Sequence, residues 1–242
     1  MGIQRKTLDY LFDNIHSYFL DEKEEFYIGE LGDQMIKRSC YEKLDSIQFP
    51  LKDQVIDTGY GINNGMGAIC SAKDLFSWYG YNHVSFDLNG LHGAEKYDFS
   101  RKINEYKLFF DIFTNIGSSE HIGEKLELEQ IYNASEHAQY YCFKNIHNML
   151  KRNGLMIHVV PLIDSWGYHG RYRYSKHFFD LLAKENNYKV YHYEIYQFSK
   201  ENYYNGSKSI FIALGKNIDN DFMSIDEFDH MPGLFDISNG KE

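Results

Sequence analysis

Two segments of the sequence place acids and glycines where a ligand could bind. Residues 29–33 (Gly-Glu-Leu-Gly-Asp) combine two glycines with two carboxylates, and Asp87 ends an apolar run. Small residues let the backbone come close to a ligand, and a carboxylate suits a cationic or hydrogen-bond-donating partner. An acid that ends a strand, as Asp87 does, can accept both hydroxyls of a ribose. Each segment also has a purely structural interpretation: residues 29–33 as a strand-to-loop turn, and Asp87 as a capping acid after a strand.

Two further segments are rich in polar groups. Residues 115–121 (Asn-Ile-Gly-Ser-Ser-Glu-His) bring an amide, hydroxyls, a carboxylate and an imidazole together after an apolar run. Residues 166–174 (Trp-Gly-Tyr-His-Gly-Arg-Tyr-Arg-Tyr) hold two arginines, a histidine and three tyrosines. Such a loop suits an anionic or polyhydroxyl ligand through forked hydrogen bonds and ring packing. His158 lies inside an apolar run and is interpreted as a hydrogen-bonded core histidine.

The motifs of several other enzyme classes do not occur. The sequence has no GxGxxG fingerprint after its first predicted strand, no P-loop and no GxSxG elbow. It also has no HExxH motif, and its eleven histidines are not at metal-ligand spacing. Cys40, Cys70 and Cys142 are isolated, which argues against a disulfide framework and favours the cytosol.

Composition and charge exclude further classes. The 242 residues are 43% hydrophobic and 25% charged, as in a folded globular chain, and carry a net charge of −10. This acidity disfavours nucleic acid and an anionic membrane surface as partners. No apolar run is long enough to span a bilayer, and residues 1–20 do not read as a signal peptide. We expect a cytoplasmic protein that binds a small molecule, with a homodimer as an open alternative to a monomer.

Alternating strands and helices must position these segments. Helices are predicted over 8–19, from the N-cap Ser71, over 126–152 with Asn153-Gly154 as the stop, and from Ser175. Strands are predicted over 26–28, 84–88, 108–114, 155–162, 190–198 and 209–214. The alternation predicts an α/β fold, a Rossmann-like, mostly parallel sheet with helices on both faces. The last two strands leave no room for a helix between them, so they predict a C-terminal antiparallel hairpin.

The predicted elements divide the chain into three parts. Residues 1–25 form an N-terminal helix, 26–216 the main domain and 217–242 an acidic tail. The tail holds seven acids and one lysine, so it carries −6 of the net charge. Residues 36–71 are rich in glycine and asparagine in their second half, and we expect a lid or substrate loop there.

The order of the strand ends resembles class I S-adenosylmethionine-dependent methyltransferases, in particular bacterial small-molecule members. That family has a first strand ending in acid-x-Gly, a second ending in an acid, an Asp-hydrophobe pair and a polar fourth strand end. In this chain these are Glu30-Leu31-Gly32, Asp87, Asp98-Phe99, and the TN-x-G-x-SEH segment of residues 114–121. The terminal hairpin is similar to the reversed last strand of that fold.

The resemblance implies S-adenosylmethionine as the cofactor and a role for individual residues. The implied cofactor contacts are Glu30 and Gly32 at the methionine part, Asp87 at the ribose, Asp98 and Phe99 at the adenine, and Asn115 near the sulfonium, with Leu88 as a further cofactor contact. Two departures stand out. Asp33 and Gln34 follow Gly32 where the family has a second glycine, and only ten residues separate Asp87 from Asp98. Ten residues are too few for a full crossover helix, so the third strand or its helix must be short.

Methyl transfer needs alignment and, for a hydroxyl acceptor, a base. His121 and His169 are the candidate bases because imidazole titrates near neutrality. The expected substrate contacts are Ser118, Glu120, Tyr168, Arg171 and Arg173. No metal is expected, because the acid of the fourth strand, Asp111, lies mid-strand.

The expected function is therefore methyl transfer to an oxygen of a small polar or anionic metabolite, with a sugar or glycan-decorating group as one acceptor class. Two alternatives are a cofactor-binding module without catalysis and a NAD-dependent oxidoreductase or epimerase.

Overall fold

Eleven strands and six α-helices lie within the residues that the computed structural model describes, which are 2–19, 25–50, 67–124, 135–167, 169–197 and 206–239. The strands are β1 Tyr27–Leu31, β2 Met35–Lys37, β3 Ala68–Ser71, β4 Asn82–Asp87, β5 Glu95–Lys96, β6 Phe110–Ile116, β7 Leu150–Pro161, β8 Tyr172–Tyr174, β9 Tyr188–Gln197, β10 Lys208–Lys216 and β11 Leu234–Asp236. The helices are α1 Arg5–Phe19, α2 Tyr41–Ser46, α3 Ala72–Trp78, α4 Ala138–Met149, α5 Lys176–Glu185 and α6 Ile225–Asp229.

Seven strands form the main sheet in the order β5-β4-β1-β6-β7-β10-β9. Neighbouring strands from β5 to β7 are parallel, whereas β10 runs antiparallel to both β7 and β9. Strands β1, β4 and β5 lie successively closer to one edge of this sheet, and β6, β7 and β9 lie successively closer to the other edge. Strand β10 then inserts between β7 and β9. The strand order therefore reverses between β1 and β6, where open α/β sheets bind their ligands. The predicted fold class is confirmed by this topology, including its reversed strand.

Strand β6 shows why the sheet is covered on both faces. All seven of its residues are buried. Phe110 and Phe113 belong to the apolar core beneath α4 and α5, whereas Ile112 and Ile116 belong to the core beneath α1 and α3. Because side chains on a strand point to both faces of its sheet, a run with no exposed position requires helices on both faces.

The link between β4 and β5 is short. It holds one 3-10 turn at Leu91–Gly93, and β5 has only two residues, paired in parallel with Phe86 and Asp87. The ten-residue spacing predicted that the third strand or the helix before it must be short, and both are short.

Residues 36–71 are not a loop throughout. Strands β2 and β3 pair antiparallel, and α2 lies between them in the chain. Ala72 N donates to Gln34 O at 2.9 Å, which ties the start of α3 to the end of the β1 loop. Residues 51–66, the middle of the expected lid or substrate loop, lie outside the described residues.

The helix predicted over 126–152 ends earlier than expected. Residues 125–134 lie outside the described part, α4 ends at Met149, and β7 begins at Leu150. Asn153 and Gly154, expected to stop the helix, lie inside β7. Asn153 has a φ of 62°, and the pairing between β6 and β7 shifts register there. Asn153 and Gly154 therefore form an irregularity within β7 and do not end a helix. The two cases look alike in sequence because the left-handed conformation that ends a helix also suits a strand bulge.

The acidic C-terminal segment is part of the fold. Phe222, Met223 and Phe228 are buried in the core beneath α4 and α5. Strand β11 pairs antiparallel with β8, in the stretch 166–174 that was expected to be a loop. The many acids hid this packing, because the segment buries a few apolar residues and exposes its charges. No helix among the described residues is both long and apolar enough to cross a bilayer.

Candidate active site

A cavity of about 660 Å³ opens at the carboxyl ends of β1, β4, β5 and β6. Seven predicted site residues line it: Gly32, Asp87, Leu88, Asp98, Phe99, Ser118 and His121. These residues come from four separate parts of the chain. The cavity brings them together because parallel strands end at one edge of the sheet.

Gly32 makes the turn that leaves β1 at the floor of the cavity. Its φ is +80°, and a Cβ there would lie 2.4 Å from Ser118 Oγ. Ser118 Oγ donates to Leu31 O at 2.8 Å and accepts from Gln34 Nε2 at 2.9 Å. The loops after β1 and β6 are therefore held against each other, and only glycine fits between them.

Asp87 ends β4 beside this turn. Its carboxylate accepts from Asn89 N at 3.0 Å and from Asp33 N at 3.4 Å. These contacts orient the side chain at the cavity wall, where an acid can accept hydroxyl hydrogen bonds from a ligand.

Asp98 and Phe99 form the wall beyond β5. Asp98 accepts from Ser100 N at 2.9 Å and from Arg101 Nε at 3.1 Å. The Phe99 ring packs against Phe86 with centroids 5.6 Å apart. The wall thus combines a fixed carboxylate with an apolar ring, a pairing that suits a heteroaromatic ligand.

The charge of the lining is mostly negative. Among the described residues, Asp33, Asp87, Asp98 and Glu124 line the cavity, against one lysine, Lys96. The Asp33 carboxylate also contacts the exposed imidazole of His92. A cavity with four carboxylates favours a ligand that carries positive charge.

Glu30 does not face this cavity, contrary to the prediction. Its side chain is buried, accepts from Gln34 N at 3.2 Å and lies 3.4 Å from His83 Nε2. Burial raises its pKa, against the opposing effects of His83 and the Gln34 N–H. Glu30 therefore stabilises the turn at Gly32 from its buried side, through the hydrogen bond from Gln34 N.

Asn115 is also one layer behind the cavity. Its amide nitrogen donates to Ser119 Oγ at 2.9 Å and contacts His158 Nδ1 at 3.0 Å, and its oxygen accepts from Ser119 N at 3.0 Å. The amide thus shapes the polar turn after β6. His158 is the core histidine that the sequence indicated, and burial lowers its pKa to about 3.

The two candidate bases contact each other. His121 Nε2 lies 3.3 Å from His169 Nε2, and His121 Nδ1 lies 2.6 Å from Glu124 Oε2. Burial lowers the pKa of His121, but the Glu124 hydrogen bond and the charges of Glu120 and Glu124 outweigh it, so the pKa is raised. Burial and the neighbouring His121 lower the pKa of His169 to about 4. A proton shared by this pair therefore belongs to His121.

The two arginines expected to bind substrate are engaged elsewhere. Arg171 forms an ion pair with Asp236 at 2.6 Å and donates to Gly123 O at 2.6 Å. Arg173 is buried and donates to the backbone oxygens of Ser165, Gly167, Gly170 and Tyr172. Both are corrections to the sequence expectation, because their role is to order the loop after β7.

Glu120, another expected substrate contact, is not among the described residues that line the cavity. Glu120 is buried next to His121. Tyr168 lies outside the described residues.

Several lining residues were not predicted from the sequence, namely Gln34, Lys96, Tyr97, Ile122 and Glu124. Glu124 had a usable signal, since it follows His121 by three residues and can reach its ring. The others come from the loops after β1 and β6 and from the short β5 stretch, where sequence alone does not show which side chains face inward.

Comparison with known proteins found no matching family model and no matching curated protein. Among solved structures, the chain is similar to the [4+2]-cyclase SpnF, with 10% identity over 88% of this chain and 82% of that one and a TM-score of 0.46. It is also similar to a putative methyltransferase from Bacillus halodurans, with 10% identity over 86% and 99% and a TM-score of 0.48.

A third similar structure is the 1,6-didemethyltoxoflavin N1-methyltransferase of Burkholderia thailandensis, with its substrate and S-adenosylhomocysteine bound. Its identity is 11% over 90% of this chain and 92% of that one, with a TM-score of 0.45. Identities this low assign no reaction. The fold of this chain rests on its own sheet order, a Rossmann-like α/β sheet with one reversed strand and a cavity at its switch point.

Proposed function

We propose that this protein is a class I S-adenosylmethionine-dependent methyltransferase that moves a methyl group to an oxygen of a small polar metabolite. The observation that carries the proposal is the acidic cavity at the switch point of the sheet. S-adenosylmethionine carries a sulfonium and an ammonium group, so it suits a lining whose described residues include four carboxylates and one lysine.

The same cavity is poorly suited to NAD. A dinucleotide pyrophosphate is bound by the N-terminus of a helix that directly follows the first strand. In this chain Gly32–Gln34 and then β2 follow β1, so no helix begins there. The acidic lining would also repel the pyrophosphate, which argues against an oxidoreductase or epimerase.

The residues of the lining suit the parts of S-adenosylmethionine. The Gly32 turn lets the methionine part approach the backbone, Asp87 can accept both ribose hydroxyls, and Asp98 with Phe99 can flank the adenine. When bound, the cofactor supplies a methyl carbon that its sulfonium already activates. The protein then has to align the acceptor and, for a hydroxyl, remove its proton.

The imidazole pair is the proposed route for that proton. His121 lines the cavity, Glu124 orients its ring, and His169 lies against its other nitrogen. The acceptor is proposed to be polar and uncharged, because Arg171 and Arg173 are engaged within the protein. Sugars and glycan-linked groups are the first class to test.

Calorimetric titration tests the cofactor. We expect S-adenosylmethionine and S-adenosylhomocysteine to bind and NAD not to bind. Asp87→Asn should weaken S-adenosylmethionine about ten- to hundred-fold, the worth of charge-assisted hydrogen bonds. Asp226→Asn, whose side chain is 90% exposed, is the matched control and should bind as the wild type does. Binding of NAD without S-adenosylmethionine would refute the proposal.

Transfer of a radiolabelled methyl group to a panel of acceptors tests the reaction. Labelled product from a neutral sugar or sugar-linked acceptor is the expected result. Cofactor binding with no transfer to any acceptor would instead favour a binding module on the same fold.

His121→Ala tests the imidazole pair once an acceptor is known. We expect cofactor affinity to stay as in the wild type while turnover falls about 10²–10⁴-fold, the usual contribution of a positioned acid or base. His177→Ala, on the exposed face of α5, serves as the control. Unchanged turnover in His121→Ala would remove this residue from the mechanism.

A further inference from the structure

Glu120, His121 and His169 bring three potential metal ligands together beside the cavity. One ligand atom from each lies within 4.8 Å of the other two. Glu120 and His121 belong to the 3-10 turn after β6, and His169 belongs to the loop between β7 and β8. Arg171 N donates to Glu120 O at 2.8 Å, which fixes the two segments against each other. The cluster is therefore set by backbone contacts as well as by its side chains.

The Glu120 carboxylate is placed as a metal ligand would be, buried and without a hydrogen-bond partner among the described residues. Its side chain is 0% exposed, and among the described residues neither of its oxygens has a hydrogen-bond partner. The positive charge of the Arg173 guanidinium attracts the Glu120 carboxylate, but the guanidinium donates its hydrogen bonds to backbone oxygens. Buried carboxylates without hydrogen bonds are costly unless they are paired or coordinate a metal.

The two imidazoles have the spacing of a shared metal ion. Their Nε2 atoms lie 3.3 Å apart. Two zinc–nitrogen bonds of about 2.0–2.1 Å at a tetrahedral angle hold their nitrogens about 3.3 Å apart. Glu124 contacts His121 Nδ1 at 2.6 Å. A carboxylate on the far nitrogen is the usual support of a metal-bound histidine, and it leaves Nε2 for the ion.

We propose that Glu120, His121 and His169 bind a divalent transition-metal ion, with Zn²⁺ as the best match. Two imidazole nitrogens and one carboxylate are a ligand set of catalytic zinc sites, which keep a fourth position open. His121 lines the cavity, so a water molecule or an acceptor oxygen would reach that position from the cavity side. This site departs from the sequence expectation that no metal is needed.

Metal binding does not depend on methyl transfer, and only the role of the ion rests on the proposed function. An Nε2 atom that binds a metal cannot also accept a proton, so a bound ion would replace the imidazole pair in the proton-removing role given to it above. With the ion bound, the acceptor hydroxyl would lose its proton to solvent after coordination lowers its pKa. The resulting oxygen anion would attack the methyl carbon, and the bonding pair of the broken carbon–sulfur bond would stay on sulfur.

The test uses the full chain, stripped with a chelator and dialysed. Zn²⁺ is titrated by calorimetry, and Co²⁺ by the visible absorption that reports tetrahedral coordination. We expect one ion per chain, with binding lost in Glu120→Gln and in His169→Ala. Glu124→Gln should weaken binding about 10–100-fold, the usual effect of losing such a support. The exposed His177→Ala should bind as the wild type does.

Circular dichroism of each variant verifies that it is folded. A folded wild type with no stoichiometric Zn²⁺ binding, or with binding that survives both ligand variants, would overturn the metal site. S-adenosylmethionine titrated into the stripped protein separates this inference from the proposed function. Zn²⁺ binding without S-adenosylmethionine binding would support the metal site and refute the proposed methyltransferase. S-adenosylmethionine binding without Zn²⁺ binding would refute the metal site and leave the proposed function intact.

Discussion

Glu30 and Asn115 are buried behind the cavity and bond to the backbone of the turns that line it. Ser118 links those two turns to each other through Leu31 O and Gln34. The residues that would touch a ligand are thus supported by a buried polar layer. We therefore expect the cavity to be sensitive to changes that never contact its contents.

Gly32→Ala tests this support. A left-handed alanine costs about 1–2 kcal/mol, and its methyl group would also displace Ser118 Oγ. We expect lower stability and about ten-fold weaker S-adenosylmethionine binding, measured by urea unfolding and calorimetry.

Gly80→Ala is the matched control for that variant. Gly80 has nearly the same φ, +83°, but a Cβ there would meet nothing within 4 Å. It should lose similar stability and keep its cofactor affinity. Equal affinity loss in both variants would mean that the contact with Ser118 is irrelevant.

At this scale the sequence predicted which residues end up at the switch point better than which way they face. Asp87, Asp98 and Ser118 line the cavity as expected, because the ends of parallel strands meet at one edge. Glu30 was placed at the correct strand end but points into the core. Its orientation depends on the pleat and on a buried histidine from the neighbouring strand, which a motif does not encode.

Among the elements, the small sheet of β8 and β11 orders the loop that carries His169. Arg173 pairs with Phe235 in its register, and Ile237 N donates to Arg171 O at 3.0 Å. The Arg171–Asp236 ion pair adds a side-chain contact to the same region. The C-terminal segment thus acts on one half of the proposed metal site from outside it.

Asp236→Asn tests that coupling. The pair is about four-fifths buried on both sides, so losing the charged partner should cost about 1–3 kcal/mol of unfolding free energy. Asp180→Asn breaks an exposed ion pair with Lys176 and should cost less than about 1 kcal/mol. Urea denaturation of the two variants compares them directly, and equal losses would contradict a structural role for Asp236.

The elements themselves were largely predictable where periodicity was strong. The N-caps Ser71 and Ser175 both accept the expected backbone hydrogen bonds. The predictions were wrong at Asn153-Gly154, which lie inside β7, and at residues 172–174, which form β8 within a stretch expected to be a loop. Their conformations depend on strands that are distant in sequence, and β8 pairs with a segment about sixty residues further along the chain.

On the scale of the whole molecule, the acidic segment completes the core on one face of the sheet. The ring of Phe228, 2% exposed, packs against Tyr140, Phe143 and Phe178. Phe228→Ala should therefore cost about 3–5 kcal/mol, as for other buried aromatic residues.

Ile218→Ala controls for this truncation within the same segment. Ile218 is 42% exposed, so its loss should be within about 0.5 kcal/mol of wild type. Thermal and urea unfolding measure both. A small effect of Phe228→Ala would mean that the segment is an appendage, as its charge suggested.

Two buried histidines make the stability of the whole fold dependent on pH. Burial and the charge of Lys216 lower the pKa of His147 to about 4, and burial lowers that of His158 to about 3. Below about pH 6.5 the unfolded chain binds protons that the folded chain excludes, so stability falls with falling pH. His147 alone should contribute a loss of about 3 kcal/mol by pH 4.

His147→Gln isolates that contribution. Glutamine can keep a donor and an acceptor near Asn220 O and Tyr188 without titrating. Urea unfolding between pH 4.5 and 7.5 should show a shallower loss of stability in this variant than in wild type. His177→Gln, at an exposed position, should follow wild type, and identical slopes for all three would contradict the prediction.

The pairing of β8 with β11 also has a consequence for biosynthesis. Residues 172–174 leave the ribosome well before their partners at 234–236 have been made. At about 5–20 residues per second, the loop bearing His169 waits several seconds for the strand that holds it. During that interval strands β1 to β7, which all precede β8 in the chain, can already pair, so the cavity at the ends of β1, β4, β5 and β6 can form before the loop that bears His169 is ordered. A chaperone that binds the nascent chain would therefore meet a protein whose unfinished side carries His169.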